Sequence, residues 1–175
     1  MEIWKDTDIA FRGKIFDVQT GTVTLSDGQE ATREIVRHDG GVGIVPFTGT
    51  SVILVKQYRI AIEQEILEIP AGKLEGDESP EVRGRAELIE EAGIKAGSMV
   101  PAGYIFPSVG FLTEKIHLYL ALNLEHTEAQ PEWDEEIEIV EMPMDEVRQK
   151  LKEGFFVDAK TIAGLYALIN YLDAQ

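Results

Sequence analysis

Glu87, Glu90 and Glu91 stand at i, i+3 and i+4, the spacing of neighbours on a helix surface. Carboxylates in such a stripe repel one another unless a cation offsets them. Hard cations such as Mg2+ prefer oxygen ligands and keep waters and phosphate oxygens in their shell. The chemistry within reach is therefore a divalent metal held against a phosphate. The commoner fate of a charge run is a solvated acidic face, and taken alone Glu-x-x-Glu-Glu merits that reading. Gly72, Glu78 and Gly93 flank the stripe.

The stripe needs a helix to carry it. Ser79-Pro80-Glu81 supplies a start: Ser caps free N–H groups, Pro suits the first helical position, and Glu complements the positive end of the dipole. Gly93 supplies a stop through the left-handed conformation. At about 100° per residue, Val82, Ala86, Leu88, Ile89 and Ala92 fall on one apolar arc, with the three glutamates opposite.

Around this helix the chain reads as one domain of 175 residues, 44% hydrophobic, with no internal repeat and no linker. Strands are expected over residues 7–11, 14–24, 32–38, 42–47, 51–57, 99–106, 115–122 and 137–141. The runs 42–47 and 51–57 read as buried central strands. Two further helices are expected over 144–153 and 158–172, the second with Ile162, Leu165, Leu168, Ile169 and Leu172 toward the core. Residues 125–136 read as a long acidic loop. Strands and helices mix without strict alternation, which favours a mixed sheet between helices.

Composition narrows the function. The net charge of -16 disfavours a general nucleic-acid surface, though a metal-bound phosphate ligand remains open to an acidic protein. With no cysteine, disulfides, thiolate metal sites and a Cys nucleophile are excluded. No apolar run is long enough to span a bilayer and no signal peptide is evident, so a cytoplasmic location is expected. His38, His117 and His126 are too scattered for a zinc triad. Ser108 lacks the surroundings of a nucleophile elbow, and no Walker or dinucleotide loop is present.

Residues 72–94 resemble the Nudix box, G-x5-E-x7-R-E-U-x-E-E-x-G-U with U aliphatic. Gly72, Glu78, Glu87, Leu88, Glu90, Glu91, Gly93 and Ile94 fit, and Ala86 stands where the family has arginine. Phe11-Arg12-Gly13, Arg33-Glu34-Ile35, Gln57-Tyr58-Arg59, the run 67–72 and Ser108-Val109-Gly110-Phe111 with Glu114 are similar to motifs of the ADP-ribose pyrophosphatase branch. The resemblance implies an α/β fold, an α/β/α sandwich around a mixed sheet. It implies a single domain over 1–175, with residues 1–40 as N-terminal strands at a homodimer interface and 41–175 as the catalytic core. It also implies Mg2+- or Mn2+-dependent hydrolysis of a nucleoside diphosphate linked to a sugar.

By position, the Ala71 carbonyl, Glu87 and Glu91 look like the family's metal ligands, with Glu90 sharing a metal or water. Glu114 resembles a loop acid near the phosphates. Arg33 and Arg59 resemble residues that touch the nucleotide or its phosphates, Arg33 across the dimer; a surface ion pair is the alternative for either. Helix geometry places Arg83 inside the acidic arc, where it would supply the charge missing at Ala86. Arg85 falls toward the apolar arc and must snorkel out. A glutamate that many relatives carry before the last strand is here Trp133, so Glu132 and Glu135 are the candidate bases. Trp133 either packs a loop or stacks on a base or sugar. Val109 replaces a usual proline, and Lys14 stands where a relative offers a ring to adenine. Both weaken ADP-ribose as the specific substrate against a GDP- or UDP-linked sugar. A second class remains: a degenerate module that binds a nucleotide without cleaving it.

Overall fold

The computed structural model describes residues 1–74, 76–130 and 136–175. Its chain forms two compact units, Met1–Gly40 with Phe106–Lys115, and Gly41–Ile105 with Ile116–Gln175. Residues 106–115 thus group with the N-terminal strands.

In the first unit, β1 (Ile3–Arg12), β2 (Asp17–Thr24) and β3 (Glu30–Arg37) form an antiparallel sheet. The first strand starts earlier than its hydrophobic pattern suggests, because backbone pairing with β2 continues to Ile3↔Thr24. The segment 106–115 is tied to β3: Val36 N–H donates to the Phe111 carbonyl at 2.7 Å, and Thr113 N–H to the Val36 carbonyl at 3.0 Å.

The second unit holds β4 (Gly41–Pro46), β5 (Ser51–Arg59), β6 (Gln64–Glu68), β7 (Ala71–Lys73), α1 (Pro80–Ala92), β8 (Ile94–Ile105), β9 (Ile116–His126), β10 (Glu138–Pro143), α2 (Met144–Lys152) and α3 (Ala159–Asp173). One sheet runs β7-β4-β9-β8, and a second runs β10-β5-β6. The first is mixed: β4 is parallel to β9 and antiparallel to β7. Although β4 and β5 are joined by a tight turn, they enter different sheets and are bridged at Phe47↔Val52.

Every residue of β4 is buried, which explains its unbroken apolar run, since a strand covered on both faces has no polar side to alternate. Val42 and Ile44 pack in one core cluster with Leu88 and Ala92 of α1. Val45 and Phe47 pack in the other with Leu165 and Leu168 of α3. Successive strand residues point to opposite faces, so the sheet lies between α1 and α3 and makes the expected α/β/α sandwich.

Helix α1 begins and ends as its sequence predicts. Ser79 accepts a hydrogen bond from Val82 N–H, and Gly93 is left-handed at φ 62°, donating to the Ile89 and Leu88 carbonyls. A Cβ at Gly93 would also meet the Thr127 carbonyl oxygen at 2.8 Å and Ala129 N at 2.9 Å. Gly93→Ala is therefore expected to cost about 2 kcal/mol, from the left-handed backbone plus this overlap. Urea unfolding measures it, and an unchanged midpoint would contradict the packing described.

The buried face of α1 corrects the helical-wheel reading. It is formed by Gly84, Glu87, Leu88, Glu91 and Ala92, while Val82, assigned to the apolar arc, is 59% exposed. Gly84 lies at the centre of the contact: a Cβ there would meet Val42, Ile44 and Met99 side chains at 3.2–3.3 Å. The side-chain-free position lets the helix approach β4 closely, and Glu87 and Glu91 lie on the same buried face.

Candidate active site

Helix α1 presents Glu87 and Glu91 one turn apart, and only 7% and 5% of each is exposed. Carboxylates are seldom buried so fully without a partner. Ala71 N–H donates to Glu91 Oε2 at 3.0 Å, which fixes β7 beside the helix. At the next residue, Gly72, a Cβ would overlap the Glu87 carboxylate itself. The glycine that opens the motif is thus needed for close approach, and its distance in sequence from Glu87 is the length of chain that turns back onto the helix.

Arg83 provides the positive charge at this patch. Its guanidinium pairs with Glu87, reaches Glu90 at 3.5 Å and lies 4.0 Å from Glu78. Burial opposes the Arg83 charge, but Glu87, Glu90 and Glu78 together outweigh it and raise its pKa above the ordinary arginine value. Arg83 Nε is buried with no hydrogen-bond partner among the described residues. Ala86 carries no charge to share in this network. Arg85 takes a different course: it donates to Glu81 at 2.9 and 3.1 Å and to the Ala96 carbonyl at 2.8 Å. It lies over the start of β8 and does not join the carboxylate patch.

Oxygen donors at Glu87, Glu91 and the Ala71 carbonyl suit a hard divalent cation. Among the described residues no three His, Asp or Glu side chains converge as a ready-made cage. Two carboxylates and a carbonyl make an incomplete shell, which fits a hard divalent cation that takes its other oxygen ligands from elsewhere.

The remaining candidates fall in several places. Arg59 is in the second unit and grips buried Glu68, Nε to Oε1 at 2.5 Å and Nη2 to Oε2 at 3.1 Å. Arg33, in the first unit, makes the alternative ion pair: it donates to both Glu2 oxygens at 2.5 and 2.9 Å, and to the Thr32 carbonyl at 2.8 Å. Glu114, in the same unit, lies 3.8 Å from His38 Nδ1, an atom that also accepts Gly40 N–H at 3.0 Å. Val109 is exposed. Glu132, Trp133 and Glu135 lie outside the described residues. The chain leading to them is tied to α1, since Gln130 N–H donates to the Glu90 carbonyl at 3.0 Å.

Sequence reasoning missed a buried polar group comprising Glu68, Lys160 and Thr161, with Asp158 beside it. Asp158 opens α3 by accepting from Thr161 N–H at 2.9 Å and Thr161 Oγ1 at 2.6 Å. Ile69 N–H donates to Thr161 Oγ1 at 3.0 Å. Asp-x-Lys-Thr at a helix start was the available signal; it reads as a cap and gives no hint of the distant Glu68.

A mixed sheet between helices, with a glycine loop packed on a helix whose buried glutamates face it, defines a Nudix-type domain. Residues 37–165 match the NUDIX domain family, and the chain belongs to it. The chain is 38% identical to a methanol dehydrogenase activator of Bacillus methanolicus over 97% of its length and 91% of that protein's. It is 37% identical to an ADP-ribose pyrophosphatase of Bacillus subtilis (strain 168), covering 94% and 89%. A GDP-mannose pyrophosphatase of Cronobacter sakazakii (strain ATCC BAA-894) is 31% identical, covering 93% and 91%. The fold is similar to a solved structure described as an ADP compounds hydrolase, with a TM-score of 0.89 and 20% identity over 99% of this chain and 95% of that one. No helix among the described residues is long and apolar enough to cross a membrane.

Proposed function

We propose that the protein hydrolyses the diphosphate bond of a nucleoside diphosphate sugar, giving a nucleoside monophosphate and a sugar phosphate. The observation that carries this reading is the buried Glu87–Glu91 pair packed against Ala71 and Gly72. Relatives named ADP-ribose pyrophosphatase and GDP-mannose pyrophosphatase support the substrate class. A water oxygen bonds to one phosphorus, the bond from that phosphorus to the bridging oxygen breaks, and the water's protons pass to a base and to solvent.

The Ala71 carbonyl, Glu87 and Glu91 would hold Mg2+ or Mn2+, with Glu90 sharing the ion or its water. Bound there, the ion would reduce repulsion between the diphosphate and an incoming water, and favour that water's ionisation. Arg83 holds Glu87 in place and takes the role of the box arginine absent at Ala86. Arg59 binds a phosphate oxygen, and Glu114 is a loop acid near the phosphates. Glu132 or Glu135 accepts the proton, and Trp133 stacks on base or sugar. Arg33 contacts the nucleotide in a homodimer formed through the N-terminal strands, in which case its pairing with Glu2 gives way. The acidic, cysteine-free chain suits the cytoplasm and a small-molecule substrate, with no nucleic acid or membrane as partner.

A second reading draws on the relative named methanol dehydrogenase activator: the chain binds a nucleotide or acts on a partner enzyme without cleavage. Release of nucleoside monophosphate from ADP-ribose, GDP-mannose and UDP-sugars, with Mg2+ and with EDTA, separates the two. The expected result is release that EDTA abolishes. Binding without release from any member of the panel favours the second reading.

A further inference from the structure

Glu68 is 2% exposed and is held by two cations. It ends β6, and its register partner on β5 is Val55, while Arg59 pairs with Gln64 at the far end of the same hairpin. Paired residues share a face, so Arg59 and Glu68 are on one side. The Arg59 side chain runs back along the hairpin to reach the carboxylate. Its Nε and Nη2 edge is occupied by Glu68, and 42% of the side chain stays exposed. Burial opposes the Arg59 charge, but Glu68, aided by Glu91 and Asp158, outweighs it and raises the pKa.

Lys160, from the first turn of α3, donates to Glu68 Oε2, which Arg59 Nη2 also reaches, and to Asp158 at 3.1 Å. Two cations face two carboxylates, so the burial of Glu68 is offset, as a buried charge requires. Thr161 ties the same turn to Ile69, and Ala71 two residues later is tied to Glu91. One short run of backbone thus carries both the grip on Arg59 and the edge of the carboxylate site.

We propose that Glu68 and Lys160 are positioning residues for Arg59. The buried carboxylate grips one edge of the guanidinium and leaves the other for the anionic oxygens of a diphosphate, and Lys160 holds that carboxylate in place. The inference rests on the reading of Arg59 as a phosphate contact. A planar guanidinium binds a phosphate oxygen pair through one fixed edge, so its orientation decides whether two hydrogen bonds or one can form.

The test is a double-mutant cycle of Arg59→Ala, Glu68→Gln and both together. It is read as KM and kcat on ADP-ribose and GDP-mannose, with ADP-ribose affinity by calorimetry in EDTA and a thermal melt. Arg59→Ala is expected to raise KM about 30-fold, and Glu68→Gln about tenfold with kcat within about threefold. In the Arg59→Ala background Glu68→Gln should add less than about twofold. A merely structural role lowers the melt and the active fraction, and so kcat, but leaves KM alone. Equal Glu68→Gln effects in both backgrounds overturn the proposal while leaving Arg59 as a phosphate contact. An Arg59→Ala enzyme with wild-type KM and affinity overturns the reading beneath it. If Glu68→Gln does not fold, Lys160→Met replaces it in the same cycle, and Lys160→Arg should recover most of the wild-type KM.

Discussion

Glu87→Gln and Glu91→Gln should each lower turnover of the preferred nucleoside diphosphate sugar by about 10²- to 10³-fold, the scale for removing one group that stabilises transition-state charge. Each change keeps the shape of the side chain and removes one of two negative charges held close together in a buried place. Relief of that repulsion predicts that Glu91→Gln melts close to the parent protein, whereas Glu87→Gln also loses the Arg83 pair and should melt lower. Glu91→Gln retains an oxygen to accept Ala71 N–H, so the loop stays against the helix and the loss reports on charge. Metal affinity, followed by Mn2+ titration, should fall in parallel with turnover. Full activity in either variant would remove the carboxylate pair from the mechanism.

Arg83→Ala is expected to reduce turnover by about tenfold or more, and Arg85→Ala by less than about twofold, because Arg83 pairs with Glu87 and Glu90 whereas Arg85 bonds Glu81 and the Ala96 carbonyl. The two should part in a second way. Arg83→Ala leaves Glu87 buried with its cation removed, a cost of about 2 kcal/mol after allowing for partial exposure. Added Mg2+ should return part of that stability, since a ligand of the folded state stabilises it by mass action. Arg85→Ala loses a hydrogen bond to β8 and a pair with Glu81, and added Mg2+ should leave that deficit unchanged. Kinetics and thermal melts with and without Mg2+ measure both. Equal losses of turnover in the two variants would sink the role given to Arg83.

Much of the fold was legible because its signals are local. The Ser79 cap, the Gly93 stop, the buried runs of β4 and β5 and the capped start of α3 follow from residues close together in sequence. The proximity of Arg83 to Glu87 and Glu90 was legible for the same reason, since one helix fixes it. The facing of α1 was not. A wheel sorts residues by polarity and places glutamates outward. Burial is decided by which face packs on β4 and β7, and Gly84, Leu88, Ala92 and the close approach of Gly72 to Glu87 all lie on that face. The extent of β1, β8 and β9 was also underread, because backbone pairing continues past the residues with a hydrophobic pattern.

The amino-acid sequence by itself determined that one helix carries the acidic stripe, where that helix starts and stops, and that Arg83 lies in the stripe. Those are short-range facts, set by backbone geometry over a few residues. Only the tertiary structure decided that Glu87 and Glu91 are buried, that Gly72 leaves room for the Glu87 carboxylate, and that Arg59 is held through Glu68 by Lys160. Lys160 and Glu68 are 92 residues apart. Contacts of that kind depend on which faces of sheet and helix close on each other, and no periodicity along the chain records them.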